Sequence, residues 1–403
     1  MDRCRIELTP AARVSPVTPE SFVAPLAGLK RGAEAGGATG DILAYAVDAG
    51  GARHPLAVGG PDGVRLNFDL PATLDAILGE TYPGAVLGTS IVNRLPFDYT
   101  RLPMWMIGLA SKILGKPVDF AALPSFPSYP IDCSADLLAG LAQGNLEPLS
   151  IAWPEGKKYA AALTHDVDTS WIFRHPKWLD ACCEIEEGCG MRSAWYAVPT
   201  AMDAAACRRG LARLAERGHE IGVHGLTHDP ALAGEPFEVL AEKFGKARKM
   251  MAEYLDGPPG YRAPWLSRSE TMRRALAAAG YLYDTSSPCS DFQRNNAESN
   301  NGCGTLHPFV RSGLVVLPIT IPQDSMASAI GKGAQGFWDW CYEILQEVKA
   351  RGGVAVVSTH LQPHHSANEP MQEGYRSFLQ RLARDADAWL PLPREAARLV
   401  ARY

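Results

Sequence analysis

Residues 160–168 read AAALTHDVD, a short apolar run that ends in two carboxylates one residue apart. Short apolar runs bounded by polar groups fit buried strands. Six more runs of this kind follow: SAWYAV (193–198), HEIGVH (219–224), GYRAP (260–264), YLYDT (281–285), LVVLPI (314–319) and VAVVST (354–359). The stretches between most of them carry apolar residues at helical spacing. AAACRRGLARLAERG (204–218) stops at Gly218, and SETMRRALAAAG (269–280) starts on Ser269 and stops at Gly280. FEVLAEKFGKARKMMAEYL (237–255) is amphipathic in the same way, and FWDWCYEILQEVKARGG (337–353) ends on a glycine pair. Serine before a helix and glycine after it are the usual start and stop signals. Strand–helix alternation of this length predicts an α/β fold with a parallel sheet covered by helices. Seven strands over roughly 250 residues predict a distorted (β/α)7-type barrel.

Upstream of this pattern, residues 1–122 are dense in Gly and Pro and carry no catalytic motif or internal repeat. DILAYAV (41–47) and GVRLNF (63–68) read as strands between turn signals, and Met104 to Leu114 as a helix. The expected organisation is an N-terminal α/β accessory region over 1–122, a Pro-rich linker and lead-in over 123–154 that includes LPSFPSYPID (123–132), and the barrel over 155–403.

Composition narrows the function classes. The 403 residues are 46% apolar and 21% charged, ordinary globular usage. Lys+Arg 39 against Asp+Glu 44 gives a net charge of −5, which offers no basic footprint for nucleic acid or an anionic membrane. No apolar run approaches the roughly 20 residues that span a bilayer. The first 30 residues lack the apolar core of a signal peptide, and nine scattered cysteines fit reduced thiols, so a cytoplasmic protein is expected. Assembly with further copies of the chain stays open.

In parallel α/β barrels the chemistry sits where strands stop. Here the first strand ends in Asp166-Val167-Asp168, the third in His224-Gly225-Leu226-Thr227-His228, the fourth in Arg262-Ala263-Pro264-Trp265, the fifth at Asp284 and the seventh at His360. Each is unremarkable alone. An HxxxH spacing without the glutamate of HExxH does not read as a zinc protease, and Asp284 before Thr-Ser-Ser could start an Asx-turn. Five strand ends carrying apt groups in order are hard to assign to packing. Two imidazoles and one carboxylate are a natural catalytic ligand set for a divalent ion, Zn²⁺ first, with the other aspartate left as a general base.

The order THDVD, HGLTH, RAPW, YDTS and STH resembles the polysaccharide deacetylase family with the NodB homology domain (carbohydrate esterase family 4) over roughly residues 155–403. The resemblance implies hydrolysis by metal-activated water. It makes Asp166 the base, Asp168, His224 and His228 the metal ligands, and Arg262 the group that orients the base. The backbone amide of Trp265 becomes an oxyanion donor, Asp284 the support of the acid, and His360 the acid. Val167 separates aspartates that are adjacent in the typical motif, and Trp265 replaces the usual tyrosine. The expected substrate is a small carbohydrate or amide, with loss of an N-acetyl group first. Hydrolysis of a cyclic imide or ureide, deformylation, and a catalytically inactive carbohydrate-binding relative are the alternatives.

The segment from Thr285 to Ser312 is long, polar and rich in Asn and Ser. Loops of this length in a compact domain are usually functional or disordered. It leaves the fifth strand on the catalytic face, so it is expected to cover the mouth of the site.

Overall fold

The computed structural model describes residues 1–12, 17–31, 41–82, 126–144, 146, 151–202, 204–229, 231–291 and 302–402. The helix expected over 104–114 lies outside them. Two sheets organise the chain. The first is antiparallel and runs β2-β1-β3-β4-β5, from β1 (Asp2–Leu8), β2 (Ser21–Leu26), β3 (Ile42–Val47), β4 (Arg53–Gly60) and β5 (Gly63–Leu66). β1 alternates as a half-buried strand should, with Cys4, Ile6 and Leu8 inward. The helix Leu70–Gly79 begins on Asp69, whose side chain accepts from the Ala72 amide, and ends on Glu80 in the left-handed conformation.

Residues 126–146 depart from the linker expectation. Phe126, Ala135, Leu138, Leu141 and Leu146 are buried in the same cluster as Ile6, Leu26 and Leu56, and Ser134–Ala142 is a helix. Proline density concealed apolar positions that the N-terminal core needs.

All seven runs of the sequence pattern are strands of the second sheet: β6 (Tyr159–Val167), β7 (Ser193–Ala197), β8 (Glu220–Val223), β9 (Gly260–Tyr261), β10 (Tyr283–Asp284), β12 (Leu314–Val316) and β13 (Val354–His360). They are parallel in the order β12-β10-β9-β8-β7-β6-β13. β11 (Phe309–Arg311) runs antiparallel on β12, and β14 (Ala388–Trp389) pairs with the start of β6. The sheet curls: beyond β12 the chain meets β13, with Ile321 N donating to Val356 O at 3.3 Å. All nine residues of β6 are buried, as befits a strand covered on both faces. Inside the curl, Tyr196 and Tyr283 join hydroxyls at 2.7 Å, and Tyr283 donates to Glu220 at 2.6 Å. A Cβ on Gly222 would stand 2.4 Å from the Tyr196 ring, and one on Gly260 would stand 2.0 Å from Tyr283, so both rings depend on bare backbone.

The two regions meet through polar contacts, one buried and one exposed. Arg268 Nε lies 2.8 and 2.9 Å from the two Glu80 carboxylate oxygens, and Arg311 reaches Asp75 at 3.0 Å. The described part of the 285–312 segment after residue 301 is seated here as well. Gly302 N donates to Glu80 at 3.0 Å, Tyr82 donates to Gly302 O at 2.7 Å, and Leu306 N donates to Asp136 at 3.0 Å. Residues 302–306 are therefore fixed by hydrogen bonds to the N-terminal region, a partner that the expectation of a cover did not include. Residues 292–301 lie outside the described residues.

Candidate active site at the strand ends

Parallel pairing of β6 with β13 sets Asp166 opposite His360. Alternation then turns Thr164 and Asp166 toward the interior, where Arg262 meets both, and His165 outward toward the helix Pro176–Gly188. On that outer face His165 Nδ1 lies 2.7 Å from Thr359 Oγ1, and His165 Nε2 lies 2.7 Å from Glu186 Oε1. This buried network clamps the two strand ends from behind. Cys182 stands beside it, but the ring nitrogens of His165 and both oxygens of Glu186 are already engaged in hydrogen bonds.

Asp168, His224 and His228 form a second buried group, with one candidate ligand atom from each within 4.8 Å of the others. His224 Nε2 is 3.2 Å and His228 Nε2 is 3.5 Å from Asp168 Oδ1. The loop after β8 brings the two imidazoles together through Gly225, at φ +74°, where a Cβ would come within 2.7 Å of Thr227 O. His224 Nδ1 donates to Arg262 O at 2.8 Å, which leaves the Nε2 lone pair facing inward. Gln362 donates to Asp168 Oδ2 at 2.9 Å and so aims Oδ1 at the histidines. Asp168 Oδ1 is buried with no hydrogen-bond partner among the described residues. Burial pushes the Asp168 pKa up, but the charge at His228 and the neighbouring His224 override this and hold it well below the ordinary range. One orphaned carboxylate oxygen facing two imidazole nitrogens fits a divalent cation.

The other aspartate stands apart from this group. Asp166 lies 3.3 and 3.4 Å from Arg262 Nη1 and 3.7 Å from His360 Nε2. Arg262 is fully buried and is fixed by Ser358 (2.6 Å), Thr164 (3.0 Å) and Thr285 (3.3 Å). Trp265 occupies a left-handed turn with its ring 5.9 Å from that of His228.

Asp284 is not the carboxylate that holds His360. Its carboxylate accepts from the amide and hydroxyl of Ser286 and lies 3.9 Å from Arg273. The carboxylate on His360 is Asp324, at 2.7 Å from Nδ1 and 2.8 Å from the His360 amide. The sequence carried a signal for it. The sixth strand was one of two strand ends left without a candidate, and Asp324 lies eight residues beyond the end of β12. Burial alone would lower the His360 pKa, but Asp324 first, then Asp168 and Asp166, raise it to about 10. A general acid works below its own pKa, so this assignment predicts activity that is held through neutral pH and lost in an alkaline limb. Asp324→Asn removes the leading raising influence. The alkaline limb should shift to lower pH, with kcat at neutral pH down roughly 10- to 100-fold. A bound cation lowers the limb in both proteins without changing the direction of that shift. A kcat–pH profile with the limb unmoved would refute the dyad.

The family model described as polysaccharide deacetylase matches residues 154–283. This span holds Asp166, Asp168, His224, His228, Arg262 and Trp265, and it ends before Asp324 and His360. The matched span is similar to the polysaccharide deacetylase family, and it lies on the curled parallel α/β sheet that carries the candidate site. Among solved structures, a putative polysaccharide deacetylase from Mycobacterium smegmatis aligns at 21% identity and TM-score 0.52, over 64% of this chain and 94% of that one. Puue allantoinase aligns at 13% identity and TM-score 0.50, over 67% and 97%. At these identities they speak for the fold alone. No curated protein matches the chain.

Proposed function

We propose that the chain is a metal-dependent hydrolase that removes an acyl group, N-acetyl first, from an amino sugar or short glycan. The observation that carries this reading is the separation of roles within one buried cluster. Asp168, His224 and His228 converge on one point, while Asp166 and His360 stand beside them 3.7 Å apart. A divalent ion on the three ligands, Zn²⁺ by its ligand preference, supplies Lewis acidity to the substrate carbonyl and to water.

The chain's own residues do the rest. Asp166 accepts a proton from the attacking water, whose oxygen bonds to the carbonyl carbon. The Arg262 guanidinium fixes the orientation of Asp166. The Trp265 amide, in its left-handed turn, is the donor for the oxyanion. His360, with Nδ1 held by Asp324, gives its Nε2 proton to the leaving nitrogen as the C–N bond breaks, releasing a carboxylate and an amine. The nine free cysteines support a reducing compartment, so we assign the protein to the cytoplasm. No helix among the described residues is long and apolar enough to cross a membrane.

The test is a product screen of chelator-stripped and zinc-reloaded protein on N-acetyl amino sugars, N-acetyl oligosaccharides, N-formyl sugars and a cyclic ureide. Zinc-dependent acetate release is the expected result. Ring opening or formate release without acetate moves the reading to another amide on the same machinery. A metal-loaded protein inert on all four overturns it.

A further inference from the structure

We infer that Glu80, contributed by the N-terminal region, is a positioning residue for the Pro264–Arg268 turn that carries Trp265 beside the metal-ligand histidines. The inference rests on the reading of the Trp265 amide as oxyanion donor. It assigns the N-terminal region a part in catalysis rather than a separate task.

The turn is strained where it matters. Trp265 and Leu266 are both left-handed, at φ +59° and +53°, and neither is glycine. Side chains with a Cβ adopt this region rarely, and neighbouring structure must hold them there. Arg268 Nη1 donates to the Leu266 carbonyl at 2.7 Å, which fixes the end of the left-handed pair. The rest of the guanidinium is gripped by Glu80. Nε lies 2.8 and 2.9 Å from the two carboxylate oxygens, and Nη2 lies 2.7 Å from Oε2. Asp291 adds a contact at 3.3 Å. The Glu80 side chain is fully buried and that of Arg268 is 1% exposed, so the pair is a fixed fork rather than a surface ion pair.

Glu80 is itself immobilised. It caps the helix Leu70–Gly79 in the left-handed conformation, with its N–H directed to the Ala76 and Ile77 carbonyls, and its Oε2 also accepts from Gly302 N. Burial would raise its pKa, but the Arg268 charge outweighs this and keeps the carboxyl below its ordinary value. From the barrel side, Ala233 N donates to Ser267 Oγ at 3.0 Å. The turn is thus held between a barrel loop and a helix end of the other region, and the clamp from that helix end bears on the strained pair. A tie between regions could lie anywhere along their contact. This one ends on the residue after Trp265.

The test uses full-length protein. Glu80→Leu with Arg268→Met replaces the buried pair by apolar groups of similar volume and removes both of its charges together, an exchange that often preserves folding; Arg273, 3.6 Å from Glu80, keeps Glu270 and Asp284 as neighbours. Glu80→Asp keeps the charge but shortens the reach by one methylene. Thermal stability, bound zinc, kcat, KM and amide exchange over 263–268 and 224–228 are measured for each. The expected result for the double variant is wild-type zinc content and KM, a kcat lower by roughly 10- to 100-fold, and faster exchange confined to 263–268. Glu80→Asp should fall between it and wild type. A folded variant with wild-type kcat and exchange overturns the inference, as does a general loss of stability with kcat per folded molecule unchanged. If the double variant does not fold, unchanged exchange over 263–268 in Glu80→Asp overturns it. If the wild type hydrolyses nothing, the functional reading fails by itself, and exchange over the turn still decides the clamp.

Discussion

Replacing His224 or His228 with alanine should strip the protein of the proposed divalent ion and take hydrolysis to background, while the fold survives. Each residue is one of three donors around a single point, and two remaining donors hold a catalytic ion far less well than three. The expected loss of rate exceeds that of any other single change here, because it removes the Lewis acid itself. The cost to folding is small by comparison. His224→Ala forfeits the Nδ1 bond to the Arg262 carbonyl, worth about 1 kcal/mol, against a domain stability of about 5–15 kcal/mol. The loop that carries it keeps Gly225 and its backbone path. Elemental analysis after gel filtration reads the metal, and circular dichroism reads the fold. Full occupancy in the His224→Ala/His228→Ala protein would remove Asp168, His224 and His228 from the ligand set.

Much of this site was legible because buried parallel strands write themselves as apolar runs, and chemistry lies where those runs stop. Seven runs became seven strands, and the site residues read from them fell at their ends. The carboxylate on His360 is the exception. Asp284 ends β10, where the resemblance places the support of His360, yet its partners are Ser286 and Arg273. Asp324 follows β12 after a short extended stretch, so it reaches His360 from the neighbouring strand end. The linker expectation over 123–154 differs from the described residues 126–144 and 146 for another reason. Prolines there sit among apolar positions, Phe126, Leu138 and Leu141, which close the N-terminal core. The Glu80–Arg268 clamp was not readable at all. Its partners are 188 residues apart, and an isolated buried ion pair leaves no periodicity in the sequence.

Asp166→Asn should keep its metal and lose about 10²–10⁴ in rate, the usual contribution of general acid–base catalysis, whereas Asp168→Asn should lose the metal. The two aspartates are one residue apart in sequence, and the geometry separates them. Asp168 Oδ1 faces both histidine Nε2 atoms, at 3.2 and 3.5 Å. Asp166 faces Arg262 and the Nε2 of His360, the nitrogen that would carry the acid's proton. Asparagine keeps the size of the side chain but has no basic oxygen for a water proton. Removing the carboxylate also leaves the buried Arg262 charge without its counterion, and such a loss costs about 3–5 kcal/mol when nothing replaces it. Here Ser358, Thr164 and Thr285 still accept from the guanidinium, so the fold should persist with a lowered melting temperature. Rates must therefore be expressed per folded, metal-loaded molecule. On that scale the Asp166→Asn protein falls by the stated factor with KM little changed, since the group acts on the transferring proton rather than on the bound sugar. If Asp166→Asn loses the metal and Asp168→Asn retains it, the roles of base and ligand are exchanged.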